Sequence, residues 1–171
     1  MSGLARRDLV GLGAALALVP ITSAEGAGMA RLYPVLDAII AAWRRQDVEG
    51  VLVHVTDDIV WRNSGGFAPA IRGKAAMREV LVAMASKIKT NHWRIFDHAE
   101  NDHRLFMEGV DEFWFHTGEH IAIPYAGSLE FRGDKVCEWR EYFDGRLSLA
   151  MKNGEPLSAE VKEMIGRPVA G

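Results

Sequence analysis

The chain has 171 residues, a formal net charge of −3 and a mean hydropathy of −0.03; 49% of its residues are hydrophobic and 25% charged. That length suits one domain, and the balance excludes disordered and fibrous classes. A pI near 6.1 leaves no electrostatic footprint for nucleic acid, and the single cysteine, Cys137, excludes an internal disulfide framework.

Residues 1–24 read as a leader. Arg6-Arg7 precede an apolar run from Leu9 to Val19, followed by Pro20 and the small-residue stretch Thr22-Ser23-Ala24. The run is shorter than the roughly 20 residues of a membrane span, so no stable insertion is expected. The paired arginines resemble the twin-arginine export signal, with Ala5 where Ser or Thr normally stands. The expectation is a periplasmic or secreted protein; the alternative is a cytoplasmic one with a frayed N-terminal helix. The mature domain is then 25–171, with its core at about 32–144 and an extension at 145–171.

Leu32, Leu36, Ile39, Ile40 and Trp43 recur at helical spacing and predict a helix from about Met29 to Gln46. Asp47 is placed to cap a short second helix with Val48, Val51, Leu52 and Val55 on one stripe. Thr56-Asp57-Asp58 reads as a turn, and Asp58–Asn63 as a short strand with Ile59, Trp61 and Asn63 on one side. Ser64-Gly65-Gly66 breaks it. A third helix, about Lys74–Ile88, carries Met77, Val80, Leu81, Met84 and Ile88 on its buried stripe.

From Asn91 the pattern changes to period two. It predicts strands at about Trp93–Ala99, Leu105–Phe115, His120–Phe131 and Val136–Phe143, joined by short turns in an antiparallel meander. Ser158 can cap a last short helix around Glu160–Ile165. Helices first and a curved sheet afterwards make an α+β fold, and three helices laid on one face of that sheet enclose a pocket.

The chemistry concentrates on Lys135–Asp144, K-V-C-E-W-R-E-Y-F-D. Alternation puts Cys137, Trp139, Glu141 and Phe143 on the apolar face, and Cys137 reads there as a small buried hydrophobe. A carboxylate on a dry face is costly unless paired or protonated. Asp111 is a second acid of this kind, among Leu105, Met107, Phe113 and Phe115. Asn63 ends the Ile59-Trp61-Asn63 face. If these faces converge, two carboxyls and a carboxamide meet between walls from Trp61, Trp139, Phe113 and Phe143, with Tyr125, Met77 and Leu81 as further lining. Two such carboxyls share a proton and support push–pull proton transfer. Each acid could instead be a structural one, paired with a buried Arg or capped by amides. No histidine spacing points to a metal, and no phosphate loop or nucleophile elbow is present.

The run from His120 to Phe131, then Gly133-Asp134-Lys135-Val136 and Trp139-Arg140-Glu141-Tyr142-Phe143-Asp144, resembles the limonene-1,2-epoxide hydrolase family. That family lies within the wider SnoaL-like, or NTF2-like, group, which Ala42-Trp43-Arg44-Arg45-Gln46-Asp47 and Ile71-Arg72-Gly73-Lys74 resemble. The likeness covers about Leu32–Asp144. It implies an NTF2-like cone, a homodimer paired through the outer sheet faces, and hydrolysis of a small apolar epoxide in one step with no cofactor or metal. By motif position Asp111 matches the acid, Glu141 the water-activating carboxylate, Asn63 the water anchor and Trp139 the pocket tryptophan. Three positions depart: Gly109 stands where the family has an Arg bridging both carboxylates, Glu141 replaces an Asp, and Trp61 replaces a water-holding Tyr. A SnoaL-like cyclase, isomerase or dehydratase, and a pocket that binds without turnover, remain as alternatives.

Overall fold

The computed structural model describes residues 32–63 and 66–170. The leader 1–24, the first residues of the predicted helix at 29–31, and Ser64-Gly65 lie outside them.

Helix α1, Tyr33–Arg44, carries Pro34 in its first turn, where a missing N–H costs nothing. Leu32 offers no capping side chain. The Glu100 carboxylate takes that role, accepting from the Leu32 and Tyr33 backbone N–H groups at 2.9 Å each. Helix α2, Val48–Leu52, is capped by Asp47, which accepts from the Gly50 N–H at 2.8 Å. Helix α3, Lys74–Ala85, follows Gly73, whose φ of 85° suits glycine.

Strands β1 (Val55–Arg62), β2 (Ile71–Arg72), β3 (Ile88–Glu100), β4 (Arg104–Phe115), β5 (His120–Arg132) and β6 (Lys135–Phe143) form one sheet in the order β2-β1-β6-β5-β4-β3. All neighbours are antiparallel except β1 and β6, which run parallel. Thr56–Asp58, expected as a turn, belongs to β1. The turn-forming residues do leave a mark: β1 takes five steps from Val55 to Val60 while β6 takes two from Val136 to Glu138. Val55 and Ile88, expected in helices, each open a strand instead.

The inner face of the sheet packs on α1, α2 and α3 around a core that includes Leu36, Ile39, Val51, Ile59, Met77, Leu105 and Leu129. The extension holds more structure than its sequence suggests. Helix α4 (Gly145–Lys152) is capped by Asp144, and helix α5 (Ala159–Ile165) by Ser158, whose hydroxyl accepts from the Val161 N–H at 3.2 Å. These helices cover part of the outer sheet face, burying Val110, Ala122 and Val161 beside Phe96, Leu157, Met164 and Ile165.

Register shifts between neighbouring strands help set which side chains face inward, one within β3 and one within β6, beside a further shift between Ile88 and Thr90. In β3 the register with β4 shifts between Ile95 and Asp97, leaving Phe96 extra. In β6 it shifts against β5 so that Phe131 faces Val136 while Glu130 faces Glu138, leaving Cys137 extra. Simple alternation therefore fails at Cys137. Val136, not Cys137, joins Trp139 in the core. Cys137 is half-buried, its Sγ 3.4 Å from the Glu130 carbonyl, and burial pushes its thiol pKa up.

Candidate active site

Asp111 stands on β4 and Glu141 on β6, both on the inner face, with β5 between them. They open into one cavity of about 130 Å³. Engineered apolar cavities of about 150 Å³ hold a single-ring hydrocarbon, which sets the scale of a ligand. Aromatic and aliphatic side chains make most of the wall, including Trp43, Trp61, Trp93, Phe113 and Trp139. The indoles are arranged around Trp139: its ring stacks on Trp93 at 5.5 Å between centroids and is tilted against Trp61 at 5.9 Å.

The two acids behave differently. Burial pushes the Asp111 carboxyl well above the usual range, and the neighbouring Glu141 charge pushes the same way. Burial therefore favours the protonated form of Asp111, and its Oδ1 is buried without a hydrogen-bond partner. Burial raises Glu141 to about 7, with the Trp61 and Trp139 indoles pulling it back down. The Trp61 Nε1–H donates to Glu141 Oε2 at 2.9 Å. Trp139 Nε1 is buried and makes no hydrogen bond of good geometry. Two carboxyls whose protonated forms burial favours thus share one largely apolar pocket.

No Lys, Arg or His lines the cavity among the described residues. Arg62 pairs with Glu138 and Arg94 with Glu112, while Arg72 is exposed, so none of them replaces the family arginine. Gly109 leaves no room for one either. A Cβ there would lie 1.9 Å from the Arg94 carbonyl oxygen, because the extra residue in β3 brings that backbone against β4.

The structure brings Asp111, Glu141, Asn63, Trp61, Trp139, Phe113, Phe143, Tyr125 and Leu81 to the cavity wall. Met77 does not reach it. It lies one turn before Leu81, fully buried in the core where α3 packs on β1, and Leu81 with Met84 forms the wall instead. Sequence reasoning missed Trp43 and Trp93 as lining. Trp43 was visible as an aromatic on the buried stripe of α1; Trp93 pairs with Asp111 across β3 and β4, a register that the chain does not announce. Among the described residues no group of His, Cys, Asp and Glu is arranged to hold a metal.

Solved structures with this fold carry several chemistries. An LEH-like epoxide hydrolase from M. tuberculosis aligns with a TM-score of 0.62 at 21% identity, over 70% of this chain and 87% of that one. A putative polyketide cyclase from Xanthomonas campestris pv. campestris aligns at 0.63 and 19%, over 70% and 95%. A putative isomerase from Rhodopseudomonas palustris aligns at 0.64 and 18%, over 72% and 96%. At these identities the likeness shows the NTF2-like fold and no particular reaction. No curated protein matches the chain significantly. The SnoaL-like domain family matches residues 36–139, more than half of the chain and the whole of the sheet that holds the two acids up to Trp139, and the chain belongs to that family.

Proposed function

We propose that the pocket hydrates a small, uncharged, largely apolar epoxide by cofactor-free acid/base catalysis. The observation that carries this reading is the pair of carboxyls lining one largely apolar cavity, both raised by burial, with Glu141 held back to about 7 by the indoles. Glu141, ionised, takes a proton from water as the water oxygen attacks an epoxide carbon. The carbon–oxygen bond of the ring breaks, and Asp111 gives its proton to the departing oxygen. The product is a diol, with Glu141 protonated and Asp111 ionised. Asn63, at the cavity wall beside Trp61, anchors the water. Trp61 holds one Glu141 oxygen and leaves the other for that water.

Incubation with limonene oxide, styrene oxide and smaller epoxides in ¹⁸O-labelled water tests the reading. Labelled diol is expected, with turnover lost by about 10²–10⁴ in both Asp111→Asn and Glu141→Gln, the usual worth of a general acid or base. No diol across the panel rejects it.

One observation favours a second reaction. Tyr125 lines the cavity, and its phenol stays neutral because burial and both carboxyls raise its pKa well above 10. With neutral Asp111 it offers two donors to one oxyanion, while Glu141 could take a proton next to a carbonyl. In deuterated water this chemistry exchanges substrate C–H protons without adding oxygen, which separates it from hydration.

A further inference from the structure

We propose that the indole N–H of Trp139 is a ligand-binding donor, and that the pocket therefore takes a single-ring epoxide with a second acceptor oxygen: a ring ether, a hydroxyl or a carbonyl. The proposal rests on the hydration reading above and narrows its substrate class.

In that reading Asp111 serves the epoxide oxygen, and Glu141 with Asn63 the water. The Trp61 N–H is taken by Glu141 Oε2 at 2.9 Å, and the Trp93 N–H by the Tyr125 hydroxyl oxygen. Trp139 has no such partner. The residue is 4% exposed and lines the cavity, and its Nε1 is buried without a hydrogen bond. An indole nitrogen donates and cannot accept, so only an acceptor completes it. A buried donor left unmet is costly, and a ligand that meets it offsets that cost.

The ring is held in place. It stacks on Trp93 with centroids 5.5 Å apart and planes 15° apart, and Trp61 lies against it at 5.9 Å and 45°. Both neighbours are anchored by their own N–H groups. Burial raises the Glu141 pKa, and the Trp61 indole and then the Trp139 indole pull against it. The Trp139 nitrogen therefore lies on the Glu141 side of the pocket, short of a hydrogen bond to that carboxyl. Asp111 stands on β4, with β5 between it and β6. Backside opening of an epoxide puts the attacking water and the departing oxygen on opposite sides of the carbon. With the departing oxygen at Asp111, the Trp139 N–H meets a different atom of the ligand. A cavity of about 130 Å³ is on the scale of one ring, so that atom belongs to the ring or to a short substituent on it. A single polar contact in an otherwise apolar wall is the usual means of fixing a ligand's orientation.

The test uses the full chain with ¹⁵N-labelled tryptophan, whose five indole N–H groups are read by NMR. Trp139→Phe assigns the Trp139 signal. Wild type is titrated with cyclohexanone, tetrahydropyran-3-one and tetrahydropyran-4-one. The last two exchange one ring CH₂ for an ether oxygen, and hydration of epoxides consumes none of the three. The Trp139 N–H proton is expected to move downfield with a pyranone and to stay in place with cyclohexanone. The affinity ratio of pyranone to cyclohexanone is expected to fall about tenfold in Trp139→Phe, the worth of one hydrogen bond to a buried group. Equal movement with all three ketones, or movement with none, overturns the donor. An unchanged affinity ratio also overturns it, because a tryptophan that only packs would weaken every ketone alike. A signal already downfield in the free chain and unmoved by ligand assigns the N–H to Glu141 and overturns it too. Should Trp139→Phe fold poorly, Trp43→Phe, Trp61→Phe, Trp93→Phe and Trp114→Phe assign the signal by elimination, and the wild-type titration decides. In turnover, the kcat/KM preference for 3,4-epoxytetrahydropyran over cyclohexene oxide is expected to fall by the same factor in Trp139→Phe. No diol from either epoxide rejects the hydration reading, and the ketone titration still decides on Trp139. Diol without the downfield movement keeps the hydration reading and rejects the donor.

Discussion

Glu141 makes folding and pH report on each other. Glu141 is half-buried, with its carboxyl on the cavity wall, and its pKa rises from 4.5 to about 7 on folding. Folding therefore favours the protonated form. The stabilisation that protonation gives is complete below pH 4.5 and is lost as pH rises through about 7. The loss amounts to about 3 kcal/mol across that window. Glu141→Gln, neutral at every pH, is expected to lack this decline. Urea titrations of both proteins between pH 4 and 8 check it, and parallel curves would exclude a buried, protonated Glu141. Of the other acids with resolved shifts, Asp111 is raised and acts in the same direction, while Asp58 and Glu130 are lowered by cationic and hydrogen-bonding partners and act in the opposite one, which is why the comparison needs the variant. Both candidate acids were legible in the sequence because a charge at an apolar strand position stands out. Tyr125 was legible only as a wall. Its hydroxyl accepts from Trp93 across β4, and no local pattern encodes a contact over an intervening strand.

At the scale of elements, long antiparallel strands announced themselves by alternation, and α1 and α3 by their stripes. Hidden from the pattern were the places where a strand departs from period two. The extra residue in β3 and the extra residue in β6 each flip the facing of the residues beyond them, and a flip is invisible until the partner strand is known. The first flip decides Gly109. Gly109→Ala is expected to destabilise the protein by about 3 kcal/mol, the upper end for overpacking, since the contact is with backbone and cannot rotate away. Its denaturation midpoint measures this; an unchanged midpoint would mean that β3 and β4 part easily. The helix starting at Gly145 escaped detection because its exposed residues blur the stripe, with only Ser148 and Met151 buried along it.

For the whole molecule, α4 and α5 matter most. They close over Val110 and Ala122, and Arg167 ties the end of the extension to Glu108 at 3.0 Å while lying over the Phe96 ring. A chain ending after Asn153 would expose that apolar strip, and we expect it to form larger assemblies than the full chain does; light scattering of both distinguishes the two. The homodimer expected from the family resemblance is then proposed to use the half of the outer face that α4 and α5 leave open. There Arg62, Glu138, Arg140, Glu130 and Arg104 form a ladder of ion pairs, bordered by exposed Phe106 and Tyr142. The α+β order, with α1 and α2 before the first strand and α3 before the long meander, came from periodicity; how the outer face divides did not, because it depends on helices whose partners lie on distant strands.

The placement of the indoles has a practical consequence. Of the five tryptophans, Trp43, Trp61, Trp93 and Trp139 line the cavity, whereas Trp114 stacks on His120 at the opposite side of the sheet. Four of the five indoles that give the chain its intrinsic ultraviolet emission therefore stand where a ligand would sit. Quenching or a wavelength change on mixing reads occupancy directly, with no dye, label or turnover, so candidate compounds can be ranked before any reaction has been identified.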